Sequence, residues 1–169
     1  MKKLFVIATA AVLFVGVSSL AQAQGIVKSD TAKWAEKHFK FVGDKACKTC
    51  HKVEHESWLA SKHANAWSLL KAEEQAKPEC ASCHSTGKTA ADSLLTGVGC
   101  ESCHGPGSEY KSMKTMKDHA LFAAAGGLPV NEKTCAQCHN KNSPTFKEIN
   151  FAEAIKAGVH KVKPKTPAK

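Results

Sequence analysis

The chain repeats one five-residue pattern four times, and the copies use every cysteine it has: Cys47-Lys-Thr-Cys50-His51, Cys80-Ala-Ser-Cys83-His84, Cys100-Glu-Ser-Cys103-His104 and Cys135-Ala-Gln-Cys138-His139. Two thiols three positions apart can each add to a vinyl group of one porphyrin, and the histidine that follows can bind the iron from the same side. The pattern therefore points to four covalently attached c-type haems, each held by two thioethers and one imidazole. A lone CxxC would suit a redox dithiol or half a zinc site, and an even cysteine count in an exported chain usually means disulfides. Neither accounts for a histidine after every second cysteine, four times over. With no cysteine left over, no disulfide is expected.

The elements that position these motifs have little material to work with. Taking a 23-residue leader from 169 residues leaves 146, about 36 per haem, too few for an ordinary layered core. The expected fold is mostly α with extensive loops, a compact multihaem cytochrome c with a porphyrin-dominated core, and its folding should depend on haem as small metal domains depend on their metal. The clearest helix is expected from Val53 to Ala76, where Trp58, Leu59, Ala66, Trp67 and Leu70 recur at three- to four-residue steps ahead of Pro78. A second opens on the cap Asp118 and stops at Gly126-Gly127, and a third runs from Asn150 to Gly158. No convincing strand alternation is present. Gly105-Pro106-Gly107 reads as a tight turn that lets the backbone press against a porphyrin. Trp34, Phe39, Phe41, Trp58, Trp67, Phe122, Phe146 and Phe151 read as haem-packing and core residues.

Lys2 and Lys3 give a short basic start, Leu4 to Val17 is an apolar run, and Ala21-Gln-Ala23 is a small-residue cleavage site. Residues 1–23 thus read as a secretory signal peptide, and their removal would leave no integral membrane span and a periplasmic protein, where c-type haem is attached. Residues 24–160 would be the tetrahaem domain, and 161–169, lysines mixed with proline and alanine, a disordered tail. The formal charge of +9 becomes +7 without Lys2 and Lys3, and the eight propionates of four haems bring the loaded protein to about −1. All 24 basic residues are lysines, so the bidentate arginine readers of nucleic acid are missing and no nucleic-acid partner is expected. A lysine face would suit an acidic redox protein as donor or acceptor. The sequence has no long apolar interface stripe, so a monomer or weak oligomer is expected rather than a filament.

Nine histidines less the four in the motifs leaves His38, His55, His63, His119 and His160. An iron with two imidazoles is coordinatively full and passes electrons, whereas an iron with one keeps an open face for a small molecule. Counting permits four closed irons with one histidine spare. His38, in an amphipathic segment, and His55, one helical turn after His51, read as exposed or core-edge residues, although either would close the second iron.

Two stretches carry a more specific likeness. Trp58-Leu-Ala-Ser61-Lys-His63-Ala64 after the first motif, and Leu95-Thr-Gly-Val-Gly-Cys100-Glu-Ser-Cys103-His104-Gly-Pro-Gly107 around the third, resemble the tetrahaem cytochrome c-554 family. That family is known from ammonia-oxidising bacteria as the electron acceptor of hydroxylamine oxidoreductase. With Thr134 to Pro144 and the helix leading to His160, the resemblance spans most of the mature chain. It implies His63, His119 and His160 as distal ligands, with His119 on the first iron, His63 on the third and His160 on the fourth. It also implies an open position on the second iron, held by Cys80, Cys83 and His84. This chain is shorter than the family pattern between the first and second motifs and around the fourth.

The expected role is a periplasmic electron carrier that catalyses no reaction of its own. The alternative is binding or reduction of nitric oxide at an open second haem, for which no general acid stands out near His84.

Overall fold

The computed structural model describes residues 38–162. The expected leader 1–23, Trp34 and residues 163–169 of the expected tail lie outside the described residues. Among those described, regular structure consists of short helices and one small sheet. The helices are α1 (Asp44–Lys48), α2 (Lys52–Leu59), α3 (Ala72–Gln75), α4 (Pro78–His84), α5 (Cys100–His104), α6 (Met113–Met116), α7 (His119–Ala124), α8 (Glu132–Ala136) and α9 (Phe151–Ala157), with a 3-10 turn over Ala66–Leu69. Strands β1 (Ser85–Lys88) and β2 (Leu94–Thr96) pair antiparallel, Ser85 opposite Thr96 and Lys88 opposite Leu94.

Two of the three expected helices are present with their caps. Asp118 accepts hydrogen bonds from Ala120 N and Leu121 N at the start of α7, and Asn150 accepts one from Glu153 N at the start of α9. Gly126 (φ 89°) follows the end of α7 and Gly158 (φ 70°) caps α9, both in the left-handed region that glycine enters without steric penalty. The long helix expected over Val53–Ala76 is instead three pieces: α2, the 3-10 turn and α3. Between the first two the chain bends so that His63 O accepts from Val98 N at 2.9 Å, while Asn65 Nδ2 donates to Ser61 O at 3.0 Å. These bonds satisfy backbone groups locally and across the fold, and so compete with a continuous helical ladder.

The β1–β2 pair also departs from expectation. Ser85, Thr86 and Gly87 are all buried and small, so the strand carries no apolar alternation to read. The Gly-Pro-Gly turn is tight, but its first glycine (φ 81°) makes room for the Gly126 carbonyl, which a side chain there would strike. Of the aromatics expected in the core, Trp58 is buried, whereas Phe39, Phe41, Trp67, Phe122, Phe146 and Phe151 are half-buried. The buried apolar side chains among the described residues are Trp58, Ala66, Val98 and Tyr110. So small an apolar interior cannot by itself offset a backbone ordering entropy of roughly 1–2 kcal/mol per residue. Something other than protein side chains must fill the centre.

Gly97 (φ 81°) sits where a Cβ would run into the carbonyl of Ala64, next to His63. Gly97→Ala is expected to destabilise the fold by about 2 kcal/mol or more, from the left-handed backbone plus the collision. A fall in thermal midpoint, followed by circular dichroism, measures it; an unchanged midpoint would show that the 60–65 bend tolerates displacement.

Candidate functional site

Each motif folds as a single helical turn. The second lies at the end of α4, which Pro78 opens at a position where the missing N–H does no harm, and the third is the whole of α5. In the first, Cys50 N and His51 N both donate to Cys47 O (3.2 and 3.0 Å); in the fourth, Cys138 N and His139 N both donate to Cys135 O (3.2 and 2.9 Å). Residues three and four apart on a helix share one face, so every motif presents two sulfurs and one imidazole to the same side. None of the eight cysteines is in a disulfide. Among the described residues no three His, Cys, Asp or Glu side chains converge as a zinc cage would require.

The motifs lie against one another in a definite order. The thiols of Cys47 and Cys100 are in hydrogen-bonding reach, which lowers Cys47 and raises Cys100. Those of Cys83 and Cys138 make the same kind of contact, and Cys138 is raised. Cys103, pushed up to about 11 mainly by burial, also feels Cys135. The first motif therefore adjoins the third, the third adjoins the fourth, and the fourth adjoins the second.

The imidazoles add a second set of distances. His63 faces His139 with ring centroids 6.1 Å apart, and His104 faces His160 at 6.4 Å. Two imidazoles bound on opposite sides of one metal ion, with nitrogens about 2.0 Å from it and ring centres about 1.1 Å further back, would have centroids about 6.2 Å apart. Both pairs fit that span. Burial, then the facing histidine, lowers His63 and His104 below the usual histidine range and favours the neutral ring that coordinates metals. The Nδ1 of His160 donates to Lys161 O at 3.0 Å, and that of His84 to Ala66 O at 2.7 Å, which leaves each Nε2 as the ligating atom.

These pairs differ from the pairing that the resemblance implied. His63 lies against the fourth motif and His160 against the third, the reverse of the assignment that the resemblance implied. The bend at 60–65 ties the His63 carbonyl to Val98 N, and the His63 ring faces His139. His119 opens α7 with an exposed side chain and makes no ring contact with another histidine among the described residues. His38 is exposed at φ 57°. His55 is buried, against Trp58 at 5.6 Å, and its Nδ1 has no hydrogen-bond partner among the described residues. No described imidazole stacks on His84.

Polar struts that the sequence reading passed over hold the motifs in place. Trp58 Nε1 donates to Val98 O at 2.9 Å, joining α2 to the loop before the third motif. Thr86 Oγ1, buried on β1 just after the second motif, donates to Gly97 O (2.9 Å) and accepts from Gly99 N (2.8 Å) and Ser102 Oγ (3.1 Å). Glu101, inside the third motif, is fully buried, and its carboxylate accepts from Val42 N, Gly43 N (2.7 Å) and Gly107 N (2.6 Å). Burial pushes its pKa up against the pull of those three donors.

Comparison with known proteins gives related sequences. Residues 46–105 match the family described as cytochrome c554 and c-prime. Over 134 residues the chain is 30% identical to cytochrome c-554 of Nitrosomonas europaea, covering 59% of this chain and 57% of that protein's length. The structure of reduced cytochrome c554 from Nitrosomonas europaea is similar over 63% of this chain and 70% of that one, at 31% identity and a TM-score of 0.46. The cytochrome c554 family match thus spans the first three motifs, and the four CxxCH turns hold covalently attached c-type haems.

Thr86→Val keeps the shape of the side chain but leaves Gly97 O and Gly99 N unpaired in the interior. It is expected to cost about 2–3 kcal/mol in denaturant unfolding of the haem-loaded protein, while Thr86→Ser retains most of the stability. Equal stability of the two variants would mean that the hydroxyl does not join the second and third motifs.

Proposed function

We propose that this chain is a periplasmic electron carrier, exported by the leader 1–23 and working between redox proteins that it meets in turn. The observation that carries this reading is the contact between cysteines of different motifs, which fixes the neighbour order first, third, fourth, second. When bound, the haems supply one-electron transfer along that row. His51, His84, His104 and His139 are the proximal ligands. His63 closes the fourth site with His139, and His160 closes the third with His104. His119 is assigned to the first site: it shares a face of α7 with Phe122, which packs on Tyr110 at 4.8 Å, and Tyr110 in turn senses Cys47 and Cys100. The absence of a helix long and apolar enough to cross a membrane among the described residues is compatible with this reading.

One observation favours a second activity. All nine histidines lie within the described residues, and of the four motif histidines His104 and His139 face another imidazole whereas His51 and His84 do not; with His119 assigned to the first site, His84 is the one left without a partner. An open position there would accept a small diatomic such as nitric oxide.

Electron paramagnetic resonance of the oxidised protein is expected to show three low-spin irons and one high-spin iron, and His63→Ala to convert one further iron to high spin. Four low-spin irons, with no spectral change on adding nitric oxide, would remove the open site. Slow exchange with small redox partners at all four haems would remove the carrier role.

A further inference from the structure

The first and third motifs are joined by two carboxylates that reach in opposite directions. Asp44, at the start of α1, accepts from Cys100 N at 2.8 Å and so caps the start of the third motif. Glu101, one residue further on, reaches back to the stretch that leads into α1: Oε2 accepts from Gly43 N at 2.7 Å and Val42 N at 3.1 Å, and Oε1 from Val42 N at 3.0 Å and Gly107 N at 2.6 Å. All of these partners are N–H donors, the pattern that an ionised carboxylate satisfies as an acceptor. Neither acid forms an ion pair among the described residues, where the ion pairs found are Lys52–Glu56 and Lys88–Asp92. Asp44 and Glu101 also sense one another, and both act on the Cys47 thiol.

This charge is placed unevenly. Glu101 is the buried acid among the described residues, and it stands at the first–third junction. At the other end of the row Cys138 senses only other thiols apart from burial, and the acid that acts on Cys135 of the same motif, Glu132, is exposed to solvent, which screens it. A haem carries one more positive charge when oxidised than when reduced. A fixed anion in a poorly solvated setting therefore favours the oxidised form of whichever haem it adjoins.

We propose that Asp44 and Glu101 form a reciprocal carboxylate clamp that positions the first and third haem motifs against each other and lowers the reduction potentials of those two haems relative to the other two without it. The proposal rests on the haem row described above. Both acids act through the backbone they hold and the charge they carry, so they are positioning residues, not ligands.

The test uses the haem-loaded full chain with Glu101→Gln and Asp44→Asn, titrated spectroelectrochemically. Asn at 44 keeps an oxygen for Cys100 N, so this variant removes charge with little change of shape and remains decisive if Glu101→Gln fails to assemble. In each variant two of the four one-electron waves are expected to move positive by at least tenfold in equilibrium constant, about 59 mV, with the other two unmoved. Amide hydrogen exchange is expected to quicken at Val42, Gly43 and Gly107 in Glu101→Gln. Four unmoved waves, or four that shift together, would overturn the clamp, as would loss of all haems in both variants. Intact mass keeps the two readings apart: wild type without four haem masses defeats the haem row, whereas wild type with four and unmoved variant waves defeats only the clamp.

Discussion

A chain with four buried apolar side chains among its described residues has to obtain its interior from elsewhere, and that scarcity governs the rest of the structure. Each haem motif is one helical turn, the smallest unit that places two thiols and an imidazole on one face. Such turns are too short to persist in water on propensity alone. Covalent attachment holds each one to a rigid apolar plate, and polar struts hold the plates' attachment points together. Trp58 to Val98, Thr86 to Gly97 and Gly99, and Glu101 to Val42, Gly43 and Gly107 are the bonds that take over the work of an ordinary packed core. Their groups are backbone N–H and C=O with few alternatives, which makes each strut costly to lose.

From that arrangement the functional geometry follows with little further assumption. Struts that bring attachment cysteines of different motifs into contact would, on the proposed reading, also bring the edges of their porphyrins close. Imidazole pairs at 6.1 and 6.4 Å would span two of the haem sites. The proposed third pair would draw His119 from α7, which Phe122 holds against Tyr110. His84 is anchored through Nδ1 to Ala66 O, and among the described residues no imidazole stacks on it.

Much of this was legible in the residues because the determining interactions are local. Cys and His spacing encodes covalent chemistry directly, and Asp118 and Asn150 announce helices whose first turns they cap. What was not legible is long-range. Whether His63 meets the third or fourth motif depends on a bend stabilised by Val98, some thirty-five positions away, and no periodicity in the 53–76 stretch reports it. The Ser85–Lys88 strand hid because small residues buried on both faces carry no alternation. Glu101 hid inside a motif read only for its cysteines and histidine. An acid beside Gly-Pro-Gly, with spare backbone donors on either side, was the signal available.

The account turns on where the irons sit relative to the histidines. Anomalous diffraction at the iron absorption edge, from crystals of the haem-loaded protein, locates them independently of any assumed fold. Four irons are expected in the neighbour order first, third, fourth, second, one between His63 and His139 and another between His104 and His160. Fewer than four irons, or an iron of the third motif lying against His63, would contradict that arrangement.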